Sequence, residues 1–211
     1  MTVKETLIQS KLIAISRGVR AEHIKKTAEI LLSRGICCME ITFDHASCEG
    51  YQNTLACMDA LSAVPGLLVG AGTVLTAEDV LAARDHGAKY IISPNTDKAV
   101  IEKTKELDLV SVPGAMTPTE CVNAVTWGAD LVKLFPAASL GIGYFKAIRG
   151  PLNFIPFVPT GGITPENIDS YLKAGAAAFG IGGNLINASK INADDFDSLI
   201  ESADAFVKAI S

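Results

Sequence analysis

The sequence predicts a closed (β/α)8 barrel of the TIM-barrel type, an α/β fold that spans residues 1–211 as a single domain. Eight short apolar runs recur along the chain, bounded by Gly, Pro or polar residues, as is typical of buried parallel strands. Segments with a helical period of apolar residues separate the runs, and this alternation is characteristic of α/β folds. An open, doubly wound sheet is the alternative, because 211 residues is short for a barrel.

The predicted strands are the apolar runs themselves, and no linker or low-complexity stretch interrupts their succession. A short helix over residues 1–11 is predicted to precede them, and an amphipathic helix over residues 194–210 is predicted to follow. In chain order the runs cover residues 12–16, 36–43, 67–70, 90–93, 109–113, 131–135, 154–160 and 178–182.

Capping residues and glycines mark where the intervening helices begin and end. Thr76 precedes Asp79 by three residues, as in a capping box, and the segment Thr117-Pro118-Thr119-Glu120 adds a proline at the first helical position. The segment Thr164-Pro165-Glu166-Asn167 predicts a third start of this kind. Glycine is favoured just past a helix end, and the predicted ends are at Gly35, Gly87, Gly128 and Gly175.

The composition argues against several classes of function. Asp and Glu number 23 against 18 Lys and Arg, and the net charge of −5 disfavours a nucleic-acid partner. No apolar window approaches the roughly 18 residues of a membrane span, and the first residues lack the apolar stretch of a signal peptide. The five cysteines form no CxxC pair, which indicates reduced thiols in the cytoplasm rather than a disulfide framework or a zinc site.

Lys133 is the most informative residue, because it lies inside the apolar run of residues 131–135. A buried ammonium costs free energy unless it is paired or neutralised. If burial lowers its pKa, the lysine becomes a free amine that attacks carbonyl groups. The alternative is a structural ion pair with an acidic neighbour.

Side chains at the carboxyl ends of barrel strands converge on one mouth, and three of those predicted here are charged. Arg17, Glu40 and Lys133 lie in or beside apolar runs, which favours a shared site over separate burials. Glu40 is the candidate for proton transfer, and Arg17 would grip a substrate carboxylate or orient Glu40. A salt-bridged triad without chemistry is the alternative. The other strand ends carry Thr42, Thr73, Pro94 with Asn95, Pro113, Thr160 with Gly161 and Gly162, and Gly182 with Gly183.

Two glycine pairs follow the last two predicted strands, where barrels commonly hold a phosphate on backbone N–H groups. Gly161-Gly162 follows the seventh strand and Gly182-Gly183 follows the eighth. Tight turns also use glycine, but two pairs at these strands favour an anion site. The three histidines show no metal-ligand spacing, so no metal is expected, and only His45 lies near the predicted mouth.

Seven motifs in order along nearly the whole chain resemble the KDPG/KHG aldolases, bacterial class I enzymes that act on 2-keto-3-deoxy-6-phosphogluconate and 4-hydroxy-2-oxoglutarate. The most specific part is the Lys-Leu-Phe-Pro-Ala segment together with the preceding glutamate. The motifs are Glu40-Ile41-Thr42, Gly70-Ala71-Gly72-Thr73-Val74-Leu75, Ile92-Ser93-Pro94-Asn95, Pro113-Gly114, Val132-Lys133-Leu134-Phe135-Pro136-Ala137, Pro159-Thr160-Gly161-Gly162-Ile163 and Gly180-Ile181-Gly182-Gly183.

The resemblance implies a (β/α)8 barrel that assembles as a homotrimer and uses neither a metal nor an organic cofactor. It implies that Lys133 is the Schiff-base lysine, that Glu40 is the general acid and base, and that Phe135 packs beside the lysine. The glycine pairs would bind phosphate. The residues predicted to contact substrate are Arg17, Thr73, Pro94, Phe135, Thr160, Gly161, Gly162, Gly182, Gly183 and Asn184.

Two positions depart from the pattern of the family. Asp44 stands where an arginine commonly meets the substrate carboxylate, and Asn184 stands where the phosphate loop commonly has serine. Asp44 is expected to add negative charge beside an anionic substrate, with Arg17 as the compensating cation.

The predicted function is reversible cleavage of 2-keto-3-deoxy-6-phosphogluconate to pyruvate and glyceraldehyde 3-phosphate. Within the same class the alternative is 4-hydroxy-2-oxoglutarate aldolase, which gives pyruvate and glyoxylate. From other classes the alternatives are a phosphosugar isomerase or epimerase, in which Lys133 is only electrostatic, and a non-catalytic binding protein for sugar acids.

Overall fold

The computed structural model describes every residue from Met1 to Ser211. Its strands are β1 Leu12–Ser16, β2 Cys38–Thr42, β3 Leu68–Gly72, β4 Tyr90–Ile92, β5 Val110–Val112, β6 Gly114–Ala115, β7 Val132–Leu134, β8 Phe157–Pro159 and β9 Phe179–Ile181. Its helices are α1 Val3–Ser10, α2 Ala21–Ser33, α3 Cys48–Ser62, α4 Ala77–Asp85, α5 Lys98–Glu106, α6 Pro118–Thr126, α7 Ala137–Arg149, α8 Ile168–Lys173, α9 Ala188–Ile191 and α10 Asp197–Ile210. Each predicted strand is therefore present, together with the leading and closing helices.

The strands form a parallel sheet that closes on itself. One part has the order β5-β4-β3-β2-β1-β9, and the other has the order β6-β7-β8. Pro113 separates β5 from β6 because its nitrogen cannot donate a ladder hydrogen bond, although its carbonyl accepts one from Lys133 N at 2.9 Å. A bridge between Thr160 and Gly180 joins β8 to β9. The predicted barrel is confirmed, and the open sheet is excluded.

The barrel has apolar side chains on both faces of its strands, which explains why the strands appear in the sequence as continuous apolar runs. The larger core lies between the sheet and the surrounding helices and contains 48 buried residues. A smaller cluster fills the inside of the barrel, and Leu7 of α1 closes its amino-terminal end. The members of this inner cluster are Leu7, Ile13, Cys38, Tyr90, Ile92, Val112, Leu131, Val158 and Ala178.

The alternation of side chains along each strand places the polar residues at the mouth. Successive inward positions lie two residues apart. On β2 the inward position after Cys38 is Glu40, and after Leu131 the next inward position, on β7, is Lys133. The interior is therefore apolar at the amino-terminal end and charged at the carboxyl-terminal end of the barrel.

The helix starts follow the capping signals in two of three cases. Thr76 with Asp79 and Thr117 with Glu120 form complete capping boxes at α4 and α6. The third predicted start, at Thr164, is displaced, because regular helix begins only at Ile168. Asn167 Oδ1 accepts a hydrogen bond from Thr164 N at 3.0 Å, and an irregular turn occupies the residues between them.

None of the ten helices combines the length and the apolar character that a bilayer crossing requires.

Candidate active site

A cavity of about 300 Å³ opens at the carboxyl ends of the strands, and it gathers all twelve predicted site residues. They are Arg17, Glu40, Thr73, Pro94, Lys133, Phe135, Thr160, Gly161, Gly162, Gly182, Gly183 and Asn184. Sequence reasoning missed three lining residues, Ile15, Ile163 and Gly180. The inward alternation of β1 and β9 could have indicated Ile15 and Gly180.

Lys133 lies at the centre of β7, flanked in register by Gly114 and Val158, with only 7% of its surface exposed. Burial lowers the pKa of its amine, the charge of Arg17 lowers it further, and the carboxylate of Glu40 acts in the opposite direction. Lys133 forms no ion pair and no side-chain hydrogen bond with another protein group. Its Nζ lies 5.2 Å from the centre of the Phe135 ring. This arrangement favours an amine available for chemistry over a structural ion pair.

Glu40 lies on the inner face of β2 and is 1% exposed. Burial raises the pKa of its carboxyl group, while the positive charges of Lys133 and Arg17 lower it. Its Oε2 atom is buried without a hydrogen-bond partner from the protein. The pKa of Glu40 moves up and that of Lys133 moves down, so the two values approach each other, as suits groups that exchange protons.

Two glycines of β3 make room for this inner layer. A Cβ atom at Gly72 would lie 1.6 Å from Glu40 Oε1, and one at Gly70 would lie 2.2 Å from the ring of Tyr90. Any side chain at Gly72 would therefore displace the carboxylate. The sequence indicates this space for the inner side chains, because Gly70 and Gly72 occupy alternate positions of β3. This strand pairs with β2, which carries Glu40.

Arg17 is held at the mouth by Thr73. Its Nη2 donates a hydrogen bond to Thr73 Oγ1 at 2.9 Å. Thr73 adopts a φ of 55°, in the left-handed region that is uncommon for threonine. Its carbonyl oxygen lies 2.9 Å from His45 Nε2, so His45 braces the residue that orients Arg17. The remaining donors of the guanidinium group face a cavity large enough for a small ligand.

The two glycine loops present a row of backbone donors. None of the N–H groups of residues 161–163 or 182–184 donates a hydrogen bond to another protein group. Gly161 and Gly162 have φ values of 91° and 73°, which residues with a side chain rarely adopt. Asn184 Nδ2 donates to Ile163 O at 2.8 Å and so ties the loops together. The loops form a concave surface suited to an anion.

Asp44 does not line the cavity that holds Lys133, contrary to the expectation of negative charge beside the substrate. It lines an adjacent cavity of about 230 Å³, which borders the first cavity at Arg17. Its Oδ1 accepts a hydrogen bond from Ala46 N at 2.9 Å, and its side chain packs over Gly50 at the start of α3. The local turn therefore determines where Asp44 points.

The chain contains no cluster of His, Cys, Asp or Glu side chains arranged as metal ligands. The five cysteines are free thiols.

A buried unpaired lysine, a buried carboxylate and a surface of free backbone N–H groups meet at the mouth of the barrel, and these are the groups that Schiff-base chemistry on an anionic carbonyl substrate requires. The sequence profile described as KDPG and KHG aldolase matches residues 3–202. The chain is 33% identical over 199 residues to 2-dehydro-3-deoxy-6-phosphogalactonate aldolase of Escherichia coli K12, covering 94% of this chain and 93% of that protein.

Two further comparisons agree. The chain is 32% identical over 205 residues to 2-dehydro-3-deoxy-phosphogluconate aldolase of Treponema pallidum, covering 94% of this chain and 93% of that protein. The crystal structure of KDPG aldolase from Legionella pneumophila, with pyruvate captured as a covalent carbinolamine, superposes with a TM-score of 0.86. It is 26% identical and covers 97% of this chain and 98% of that one.

The chain belongs to the KDPG and KHG aldolase family. It is a class I aldolase, a lyase of the KDPG and KHG type.

We predict that Gly72→Ala impairs the site while the barrel stays folded. The new Cβ would lie 1.6 Å from Glu40 Oε1, so the carboxylate must move. Because misplacing a catalytic group by about 1 Å costs on the order of 10²-fold in rate, exchange of the pyruvate methyl protons with D2O should slow by that factor. Proton NMR measures the exchange.

The matched control is Gly143→Ala, where an added Cβ meets nothing within 4 Å. This variant should exchange pyruvate protons at the wild-type rate, because Gly143 lies on α7 away from the cavity. Wild-type exchange in folded Gly72→Ala would show that the position of Glu40 does not depend on this glycine.

Proposed function

We propose that this protein reversibly cleaves 2-keto-3-deoxy-6-phosphogluconate to pyruvate and glyceraldehyde 3-phosphate. Lys133 is the Schiff-base lysine and Glu40 is the general acid and base. The observation that carries the proposal is that Lys133, buried and free of any ion pair, lines one cavity with Glu40 and Arg17.

In the first half of the reaction the amine of Lys133 attacks the C2 carbonyl carbon of the substrate. The carbinolamine loses water and becomes an iminium ion, which is an electron sink. Glu40, directly or through a water molecule, takes the proton of the C4 hydroxyl group. The C3–C4 bond breaks, its electrons form the enamine, and the aldehyde leaves.

In the second half Glu40 returns its proton to C3 of the enamine. Water then hydrolyses the iminium ion, which releases pyruvate and regenerates the free amine. Both halves need a base that is charged at one stage and protonated at the next. Burial raises the pKa of Glu40, while the positive charges of Lys133 and Arg17 lower it. This balance suits a carboxyl group that alternates between the two forms.

The two ends of the substrate match two parts of the cavity. Arg17 can hold the C1 carboxylate through guanidinium donors that Thr73 does not use. The free N–H groups of residues 161–163 and 182–184 can hold the terminal phosphate. Asn184 contributes by bracing the two loops through Ile163 O. The remaining lining residues, among them Pro94 and Thr160, shape the wall between these ends.

Borohydride trapping tests the lysine assignment. Reduction in the presence of pyruvate should leave a pyruvyl adduct on Lys133, identified by peptide mass spectrometry, and Lys133→Met should abolish it. Lys105→Met is the matched control, since that lysine is ion-paired to Asp130 at 2.6 Å, outside the cavity. A folded wild-type protein that gives no adduct would contradict the mechanism. In that case, binding of a phosphosugar would favour an isomerase or epimerase. Binding of a keto acid without turnover would favour a non-catalytic binding protein.

The variant Glu40→Gln separates proton transfer by Glu40 from formation of the Schiff base at Lys133. Because a general base contributes about 10²–10⁴-fold, cleavage should slow by that factor while the adduct on Lys133 still forms. Equal loss of trapping would show that Glu40 acts earlier or supports the fold instead.

The identity of the aldehyde requires a panel of substrates. We expect kcat/KM to fall at least 100-fold when the phosphate is removed from 2-keto-3-deoxy-6-phosphogluconate, because the loop donors would lose a charged partner. The panel should include the C4 epimer, 2-dehydro-3-deoxy-6-phosphogalactonate, which is the substrate in the name of the Escherichia coli relative. It should also include 4-hydroxy-2-oxoglutarate. Faster cleavage of either compound would replace the proposed substrate and leave the lysine chemistry intact.

The proposed assembly is a homotrimer in the cytoplasm. The trimer rests on the resemblance to the family, and it is supported by large apolar side chains that remain exposed on or beside α4 and α6, namely Leu75, Leu81, Met116 and Val122. The free thiols agree with a reducing compartment. Light scattering coupled to size exclusion should give three times the 22.1 kDa chain mass, and a monomer mass would contradict the assembly.

A further inference from the structure

Two side-chain atoms in the whole protein are fully buried without a hydrogen-bond partner from another protein group. They are Glu40 Oε2 and the hydroxyl oxygen of Tyr90. Buried polar groups nearly always have a partner, either a protein group or an ordered water molecule. Both atoms belong to the barrel interior, and one of them is on the carboxylate that the proposed mechanism uses.

The two side chains are neighbours over the inner face of β3. In the sheet register Glu40 pairs with Gly70, and Gly70 pairs with Tyr90. The Tyr90 ring lies over Gly70, because a Cβ there would be 2.2 Å from its Cε2 and 2.4 Å from its Cζ. The Glu40 carboxylate lies over Gly72, two residues further along the same strand.

Positions two residues apart on a strand face the same side and are separated by roughly 6.6 Å. The Tyr90 ring and the Glu40 carboxylate therefore lie next to each other on the inner face of β3, and a single bridging water molecule would give each of the two unpartnered oxygen atoms a hydrogen bond. No other side chain satisfies either atom.

We propose that Tyr90 is a positioning residue for Glu40, and that its hydroxyl group donates through one buried water molecule to Glu40 Oε2. The inference rests on the proposed function, in which Glu40 is the acid and base. The bridge holds the carboxylate in one orientation toward the cavity and stabilises its charged form relative to its protonated form.

The surroundings agree with a donating tyrosine. Burial raises the pKa of the Tyr90 phenol well above its ordinary value, and the neighbouring Cys38 and Glu40 raise it further, so the hydroxyl keeps its proton. Lys133 from β7 and Arg17 from beyond β1 are the charged groups that act on Glu40. Cys38 and Cys37 of the β2 segment act on the hydroxyl.

Cys37 requires a control, because its hydrogen-bond contact with Cys38 lowers the pKa of the Cys37 thiol to about 6. Its ionisation would change the charge beside Tyr90 within the pH range over which the experiment is run. The experiment therefore uses Cys37→Ser as the background for every variant, so that a change of charge at this thiol does not contribute to the pH profile.

The test is the pH dependence of pyruvate methyl exchange with D2O, which follows proton transfer and needs no aldehyde. Tyr90→Phe removes the donor, so the carboxyl pKa rises and the acid limb of the profile moves to higher pH by about one unit. Below that limb, exchange slows about tenfold. Borohydride trapping on Lys133 at high pH should be unchanged, which separates a positioning role from a structural one.

Tyr144→Phe is the matched control, because its hydroxyl donates to Met116 O outside the cavity. Its acid limb should coincide with that of the background. An unshifted limb in Tyr90→Phe, together with loss of exchange in Glu40→Gln, would overturn the role of Tyr90 and leave the proposed function standing. Normal exchange in Glu40→Gln would overturn the proposed function instead.

A second variant keeps the inference testable if Tyr90→Phe does not fold. Incorporation of 3-fluorotyrosine at position 90 preserves the shape of the ring but makes the phenol more acidic and a stronger donor. The acid limb should then move to lower pH, opposite to the shift in Tyr90→Phe. A limb that stays in place in the folded fluorinated protein would overturn the bridge.

Discussion

The burial of Lys133 and Glu40 inside one apolar barrel is the constraint on which the rest of the site depends. An isolated buried charge is expensive, and each of these groups reduces the cost of the other without direct ion pairing. Burial moves the two pKa values toward each other, and Arg17 adds positive charge that favours an ionised Glu40. The chemistry of the site therefore follows from desolvation, which the barrel imposes through its packed interior.

The backbone around Lys133 and Glu40 supplies space for the buried side chains and free N–H donors at the mouth. Gly72 leaves the space that the carboxylate occupies, and Gly70 leaves the space for the Tyr90 ring. At the other side of the mouth, the N–H groups of residues 161–163 and 182–184 are unused by the protein. Glycine thus serves two purposes here, since it permits close approach on β3 and exposes peptide donors after β8 and β9.

Several details lay beyond sequence reasoning because they depend on local contacts. The sequence predicts Asp44 beside the substrate, but a hydrogen bond from Ala46 N and packing over Gly50 place it at an adjacent cavity. The helix predicted to begin at Thr164 begins at Ile168, since the Asn167 side chain bonds back to Thr164 N. The direction of a loop side chain and the first residue of a helix depend on competing hydrogen bonds of similar strength. A residue pattern does not show which of these bonds forms.

The alternation of strands and helices, the residues at the mouth and the family can all be read from the amino-acid sequence, because apolar period, capping residues and strand-end motifs are local signals. Three features emerge only from the folded chain: the sheet closes, Lys133 is unpaired, and Tyr90 lies beside Glu40 across two strand pairings. These features arise between residues far apart in the chain, and their energies depend on burial and distance, which exist only once the barrel has formed.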